Sequence, residues 1–144
     1  MPRFELSVEI TRKPADVFAY LTDLSKLPEW QSSAISAQTD GLVQQGTRIR
    51  ERRKFAGRDV RTELEVVTYQ PPHRFDVKSR GGPVSFEIRH ALEPTNGGTR
   101  LEVEVAVKVG AMMRIAAQAL LKVAEREFRS DFMRLKEILE GTTS

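Results

Sequence analysis

The stretch from Met112 to Glu140 constrains the fold most, because it predicts a single long amphipathic helix that Gly141 is placed to end. At about 1.5 Å per residue, this helix would span roughly 43 Å, enough to cross the face of a whole sheet. The remainder of the chain should therefore supply a sheet that this helix covers. The predicted apolar stripe consists of Met112, Ile115, Ala116, Ala119, Leu120, Val123, Ala124, Phe128, Phe132, Leu135, Ile138 and Leu139.

The N-terminal third begins with a strand and continues into short helices. Residues 4–10, FELSVEI, alternate apolar and polar side chains, the period of a half-buried strand. Pro14 predicts the start of a short helix, because the first turn of a helix tolerates a missing N–H. A second helical turn is expected over residues 23–27, with Pro28 ending it. Neither segment is long enough to be the main core helix.

Turn-forming residues divide the middle of the chain into six further predicted strands. These strands cover approximately residues 33–38, 47–55, 59–69, 74–79, 84–93 and 99–109. Such short connections favour an antiparallel meander. The sequence therefore predicts an α+β fold in one domain over residues 1–144: a seven-stranded curved antiparallel sheet wrapped around the C-terminal helix, with two short helices after the first strand. The space between sheet and helix can be a cavity.

Composition excludes several classes of function. The chain has no cysteine and only two histidines, so neither a metal nor another cofactor is expected. No apolar run approaches the roughly 20 residues that cross a bilayer, so membrane insertion is not expected. The opening MPRFELSVEI lacks the pattern of a secretory signal, and a cytoplasmic location is expected.

One basic segment has two interpretations. RIRERRKFAGR, residues 48–58, concentrates basic side chains that would suit a phosphate-binding edge. Alternatively, it is a solvated strand edge whose charges discourage pairing with other sheets. The second interpretation is favoured, because Phe55 is the segment's one aromatic residue for base stacking, and no nucleic-acid partner is expected.

The segment ITRKPADVFAYLTDLSKLPEWQSS, residues 10–33, resembles the opening of the START-like superfamily, also called Bet v 1-like or SRPBCC. Within it, the segment is most similar to the polyketide cyclase/dehydrase and lipid-transport group. The matching residues are Pro14, Val17, Phe18, Leu21, Asp23, Pro28 and Trp30. The resemblance implies the helix-grip fold, in which members bind lipids, polyketides or hormones. It also implies that Trp30 lies near the mouth of a cavity, although a lone tryptophan is also typical of a core anchor.

Strand alternation predicts which side chains face the helix, and Val60 is placed inward with them. The candidate ligand-binding residues are Trp30, Ile49, Phe55, Thr62, Leu64, Phe75, Val77, Phe86, Ile88 and His90, together with Met112, Ala116, Ala119 and Leu120 of the helix. Alternation also directs Ser79, Glu51 and Arg53 inward, where the two charges would contact a ligand or simply pair with each other. His90 would orient a hydroxyl or move a proton, or would be a bonded core histidine.

Three functions follow from this arrangement. The first is binding or transport of a hydrophobic small molecule, a lipid or polyketide-like compound, by a monomer or homodimer. The second is an aromatase-type polyketide cyclase/dehydrase, in which the fold positions a poly-ketone and His90, Arg53 or Glu51 assists as a catalytic group. The third is a protein-interaction module that uses the basic segment.

Overall fold

The computed structural model describes residues 3–55, 57–81, 85–108 and 114–141, with the side chains of Phe55 and of residues 114–117 excluded. The element order confirms the predicted fold class. The elements are β1 (Arg3–Ile10), α1 (Pro14–Leu21), a 3₁₀ turn (Leu24–Lys26), α2 (Leu27–Trp30), β2 (Ala34–Thr39), β3 (Arg48–Phe55), β4 (Arg58–Gln70), β5 (Arg74–Ser79), β6 (Ser85–Thr95), β7 (Gly98–Lys108) and α3 (Arg114–Gly141).

The seven strands form one antiparallel sheet in the order β1-β7-β6-β5-β4-β3-β2. Consecutive strands from β2 to β7 pair with one another, whereas β1 closes against β7. Gly98 makes this closure possible, because a Cβ atom there would overlap the carbonyl oxygen of Ile10. A side chain at this position would separate the ends of β1 and β7.

Pro28 does not end the second short helix, as the sequence predicted. The 3₁₀ turn gives way to α2 at Leu27, and Pro28 occupies the first turn of α2. A proline is tolerated there because that N–H has no partner within the helix. At this position, a proline that ends one helix and a proline that begins the next have the same sequence pattern. In this structure Pro28 begins a helix.

The C-terminal half of α3 is fixed to both sides of the fold. On one side, Arg129 donates to the carbonyl of Glu5 at 3.0 Å. On the other, the backbone N–H of Ser32 donates to Asp131 at 3.2 Å. Phe132 is 1% exposed and belongs to the same apolar core as β1 and α2. Among the described residues, the hydrogen bonds from α3 to other elements all come from residues 127–140.

The inner face of α3 differs from the predicted stripe in its N-terminal half. Ala119 and Leu120 are exposed, the latter by 42%, and Val123 is 56% exposed. Leu121, which the predicted stripe omitted, and Ala124 pack against the core instead. Apolar residues crowd this part of the helix on most of its circumference, so the spacing alone left its inward face undetermined.

Candidate ligand-binding site

Burial of the inner face of the sheet changes along its length. At the end near the start of α1, Ile10, Leu92 and Leu101 are 1%, 2% and 0% exposed. At the opposite end, the inward side chains of Phe86 and Val107 remain half-buried. Side chains therefore fill the interior at one end of the sheet, whereas solvent reaches inward-facing apolar surface at the other.

The N-terminal half of α3 runs over this less filled end. Phe128 contacts Phe4 with ring centroids 5.4 Å apart, and Val105 pairs with both Phe4 and Ile88 across the sheet. From Phe128 the helix continues back toward the row of Phe86 and Val107, and its inner face is half-buried as well. We call this region the interior gap. Its half-buried apolar side chains are Phe86, Ile88 and Val107 on the sheet and Leu121, Ala124 and Phe128 on α3.

The predicted ligand-binding residues fall into separate groups. Thr62, Phe86 and Ile88 are half-buried on the inner face. A second group is fully buried in the core and consists of Ile49, Leu64, Phe75 and Val77. Ala119 and Leu120 are exposed on α3, and Val60, predicted to face inward, is 37% exposed because it lies near the β3–β4 turn. Met112 and the side chains of Phe55 and Ala116 lie outside the described residues.

Trp30 is a core residue in this structure. Its side chain is 1% exposed and its ring centroid lies 5.0 Å from that of Phe132. The indole is therefore not exposed at a cavity mouth, because α2 places it against Phe132 of α3. In the described part of the chain its Nε1 has no hydrogen-bond partner. Its contacts are those of the core anchor that the sequence left as the alternative.

His90 is a buried, neutral side chain. Its Nδ1 lies 2.7 Å from the carbonyl oxygen of Phe75, and since that oxygen can only accept, Nδ1 carries the proton. The imidazole stacks on the Phe75 ring at 5.6 Å and contacts Phe132 at 5.9 Å. Burial lowers the pKa of His90 from 6.5 to about 4. The ring is therefore uncharged near neutral pH and its donor is already used.

Glu51 and Arg53 form an ion pair on the inner face of β3. Arg53 Nε donates to Glu51 Oε2 at 2.7 Å, and Nη2 donates to Oε1 at 3.1 Å, which is a bidentate geometry. Glu51 is 5% exposed. The remaining Arg53 bonds go to the side-chain oxygens of Gln31 and Ser33, in the segment after α2. The two inward charges therefore pair with each other, one of the two alternatives that the sequence allowed.

Asp131 of α3 extends this polar region. It is 8% exposed and accepts from the backbone of Ser32, whose hydroxyl donates to Glu127. Burial raises the pKa of Asp131, opposed by the hydrogen bonds from Ser32. The sequence did not predict Gln31 and Asp131 as residues of this polar region. The signal available was indirect: an arginine on an inward strand position requires acceptors, and the segment after α2 is rich in them.

The basic segment is largely neutralised by ion pairs. The pairs are Arg48 with Glu63, Arg50 with Asp40, Arg52 with Asp59 and Arg53 with Glu51. These ion pairs agree with solvated charges rather than with a phosphate-binding surface. The predicted edge position is wrong, because β3 pairs with both β2 and β4 and is an interior strand of the sheet. Within the described ranges, no group of three or more His, Asp or Glu side chains would hold a metal ion. None of the described helices combines the length and apolar character needed to cross a bilayer.

Comparison with known proteins identifies the family of this chain. A family model described as "Polyketide cyclase / dehydrase and lipid transport" matches residues 1–140. The uncharacterized protein Rv1546 of Mycobacterium tuberculosis is 24% identical over 136 residues, covering 90% of this chain and 95% of that protein. The chain therefore belongs to the polyketide cyclase/dehydrase and lipid-transport family of the START-like superfamily. Family and fold together support a role in binding hydrophobic molecules.

Solved structures share the helix-grip architecture. The protein TTHA0849 from Thermus thermophilus has a TM-score of 0.81 at 19% identity, covering 99% of this chain and 100% of that chain. The di-domain ARO/CYC StfQ from the steffimycin biosynthetic pathway has a TM-score of 0.82 at 15% identity. That likeness covers 96% of this chain and 51% of StfQ. At these identities the likeness establishes the fold.

Proposed function

We propose that the protein binds a hydrophobic small molecule, a lipid or polyketide-like compound, in the interior gap. The observation that carries the proposal is the set of half-buried apolar side chains on the inner face of the sheet and on α3, represented by Phe86 on the sheet and Ala124 on α3. Apolar surface left accessible inside a fold is stabilised when a ligand removes it from water, at about 25 cal/mol per Å². The family description supports the same chemistry.

Cyclisation of a poly-ketone is the second candidate, because StfQ shares the fold and the Glu51–Arg53 pair supplies polar groups on the inner face. His90 is poorly suited to that role, since its ring is buried and its pKa of about 4 makes it a weak base. Catalysis would instead depend on positioning by Arg53 and Glu51. A role as a protein-interaction module has less support, because its predicted basic surface is ion-paired.

Binding of Nile red, an uncharged hydrophobic dye, tests the proposal with two matched variants. Ala124→Phe places a ring on the inner face of α3, and Ala119→Phe places the same ring on its exposed face. If the gap is the site, Ala124→Phe weakens dye binding about tenfold or more while Ala119→Phe leaves it unchanged. Native mass spectrometry of the purified protein would identify any molecule that accompanies it.

The free energy of unfolding of Ala124→Phe provides a second readout. A ring that enters open space changes this free energy by less than about 1 kcal/mol, whereas overpacking a filled core costs about 1–3 kcal/mol. Loss of stability of that size, or dye binding that both variants retain, would overturn the interior gap as the site. No dye binding by the unaltered protein would overturn it as well.

A further inference from the structure

We propose that the interior gap selects uncharged ligands that carry a hydroxyl or carbonyl group and rejects carboxylates of the same chain length. The reason is that Glu51 already binds the guanidinium of Arg53 and neutralises its charge. This inference rests on the proposed function and specifies the class of its ligand. It is carried by the position of the ion pair, by the hydrogen bonds of the guanidinium and by the carboxylates around it.

The ion pair lies at the same end of the sheet as the interior gap. Phe86 pairs with Val107 on one side, and its N–H donates to the hydroxyl of Ser79 on the other. Ser79 pairs with Leu64, which pairs with Ile49 on β3. Glu51 and Arg53 are the next inward positions on β3. A ligand that covers the Phe86 row and extends across β5 and β4 would therefore reach their charged groups.

Arg53 has little capacity left for an anionic ligand. Of the five N–H groups of a guanidinium, two already donate to Glu51, one to Gln31 and one to Ser33. The bidentate carboxylate also neutralises its charge. Among the residues that the structure describes, one N–H of Arg53 has no acceptor, and it is enough to donate to a neutral oxygen. It does not supply the full countercharge that a buried carboxylate requires.

The surrounding groups add negative charge. Asp131 on α3 is buried close enough to interact electrostatically with Arg53, and Glu127 lies one turn earlier. This wall of the interior therefore combines one guanidinium with the carboxyl groups of Glu51, Asp131 and Glu127. A ligand hydroxyl can donate to one of these oxygens, whereas a ligand carboxylate would meet repulsion as well as desolvation. Arg58 is exposed at the β3–β4 turn, where water screens its charge.

Competition between dodecanol and dodecanoate for the Nile red site tests the inference. At about pH 8 the acid is ionised, and the two competitors differ in the head group alone. We expect the unaltered protein to bind dodecanol about 100-fold more tightly, since an unpaired buried carboxylate costs several kcal/mol. In Glu51→Gln, the released Arg53 should reduce this preference at least tenfold by improving dodecanoate binding. Glu63→Gln, which removes the same charge from an exposed ion pair with Arg48, should retain the preference.

The outcomes separate the two proposals. If Nile red binds and the two competitors displace it with equal affinity, the site stands and the selectivity is overturned. Tighter binding of dodecanoate than of dodecanol has the same meaning. A preference that Glu51→Gln and Glu63→Gln reduce equally also overturns it, because bulk charge would then be the cause. Absence of Nile red binding would overturn the proposed function and this inference together. If Glu51→Gln does not fold, Arg53→Met serves instead and should keep the preference for dodecanol, whereas a gain in dodecanoate binding would contradict the inference.

Discussion

Replacing His90 with asparagine should remove a pH dependence of stability that burial of the imidazole creates. In the folded protein, the His90 Nδ1–H donates to the carbonyl of Phe75, and the ring is enclosed by the rings of Phe75 and Phe132. An asparagine amide can donate to the same carbonyl and does not titrate. The variant therefore keeps the hydrogen bond and removes the ionisable group.

The sign and the magnitude follow from the two pKa values. Burial lowers the pKa of His90 from 6.5 to about 4 in the folded state, so the unfolded chain binds the proton more readily. The contribution of the neutral His90 to the free energy of unfolding is therefore fully present above the unfolded pKa. It is lost progressively as the pH falls from 6.5 toward 4. At 1.36 kcal/mol per unit of pKa, the total loss is about 3 kcal/mol, of which about 2 kcal/mol is lost between pH 7 and pH 5.

Urea unfolding of both proteins across this pH range measures the effect. The smaller side chain of the variant lowers its unfolding free energy by an amount that does not depend on pH. We therefore compare the difference between the two unfolding free energies at each pH, and the prediction concerns how this difference changes with pH. Carboxyl groups that titrate below pH 5 are common to both proteins and cancel in that difference. Parallel stability curves would refute the reasoning, because they would mean that the imidazole accepts a proton in the folded state without cost.

Two further substitutions test the packing. Trp30→Ala should lower the free energy of unfolding by about 3–5 kcal/mol, because the indole is buried against Phe132; a loss below about 1 kcal/mol in urea unfolding would contradict the core role. Gly98→Ala should cost more than about 2 kcal/mol, because its Cβ would overlap the Ile10 carbonyl oxygen. Gly141→Ala meets no atom within 4 Å and should change the unfolding temperature little; an equal effect of both glycine changes would contradict the close approach.

The fold was predictable because its elements are specified locally. The alternation in residues 4–10 and the turn residues between the later strands define antiparallel pairing without long-range information. The length of the C-terminal helix then leaves one packing, in which the sheet covers it. Pro28 shows the limit of local signals, because a proline before a helix and a proline after one have the same sequence pattern.

The candidate site was predictable in part, since it depends on side-chain direction and on contacts between distant segments. Alternation correctly directed Phe86 and Ile88 inward, because the period of a strand is fixed. It could not show that Gln31 would reach Arg53 or that Asp131 would bind Ser32, because these contacts join segments far apart in sequence. The extent of burial was equally hidden, because it depends on the path of α3 over the sheet.

The two halves of α3 explain why one sequence pattern yields both a filled core and the half-buried surface of the proposed site. In the C-terminal half, apolar residues alternate with charged ones, and Arg129 and Lys136 bind backbone carbonyls of β1, which fixes the inward face. In the N-terminal half, apolar residues surround the helix, and the described part contributes no such bond. Bonds to backbone carbonyls hold the C-terminal half against β1, where Phe132, Leu135 and Leu139 are buried. In the described part of the N-terminal half, Leu121 and Ala124 are only half-buried, so the less buried part of α3 is the part without described anchoring bonds.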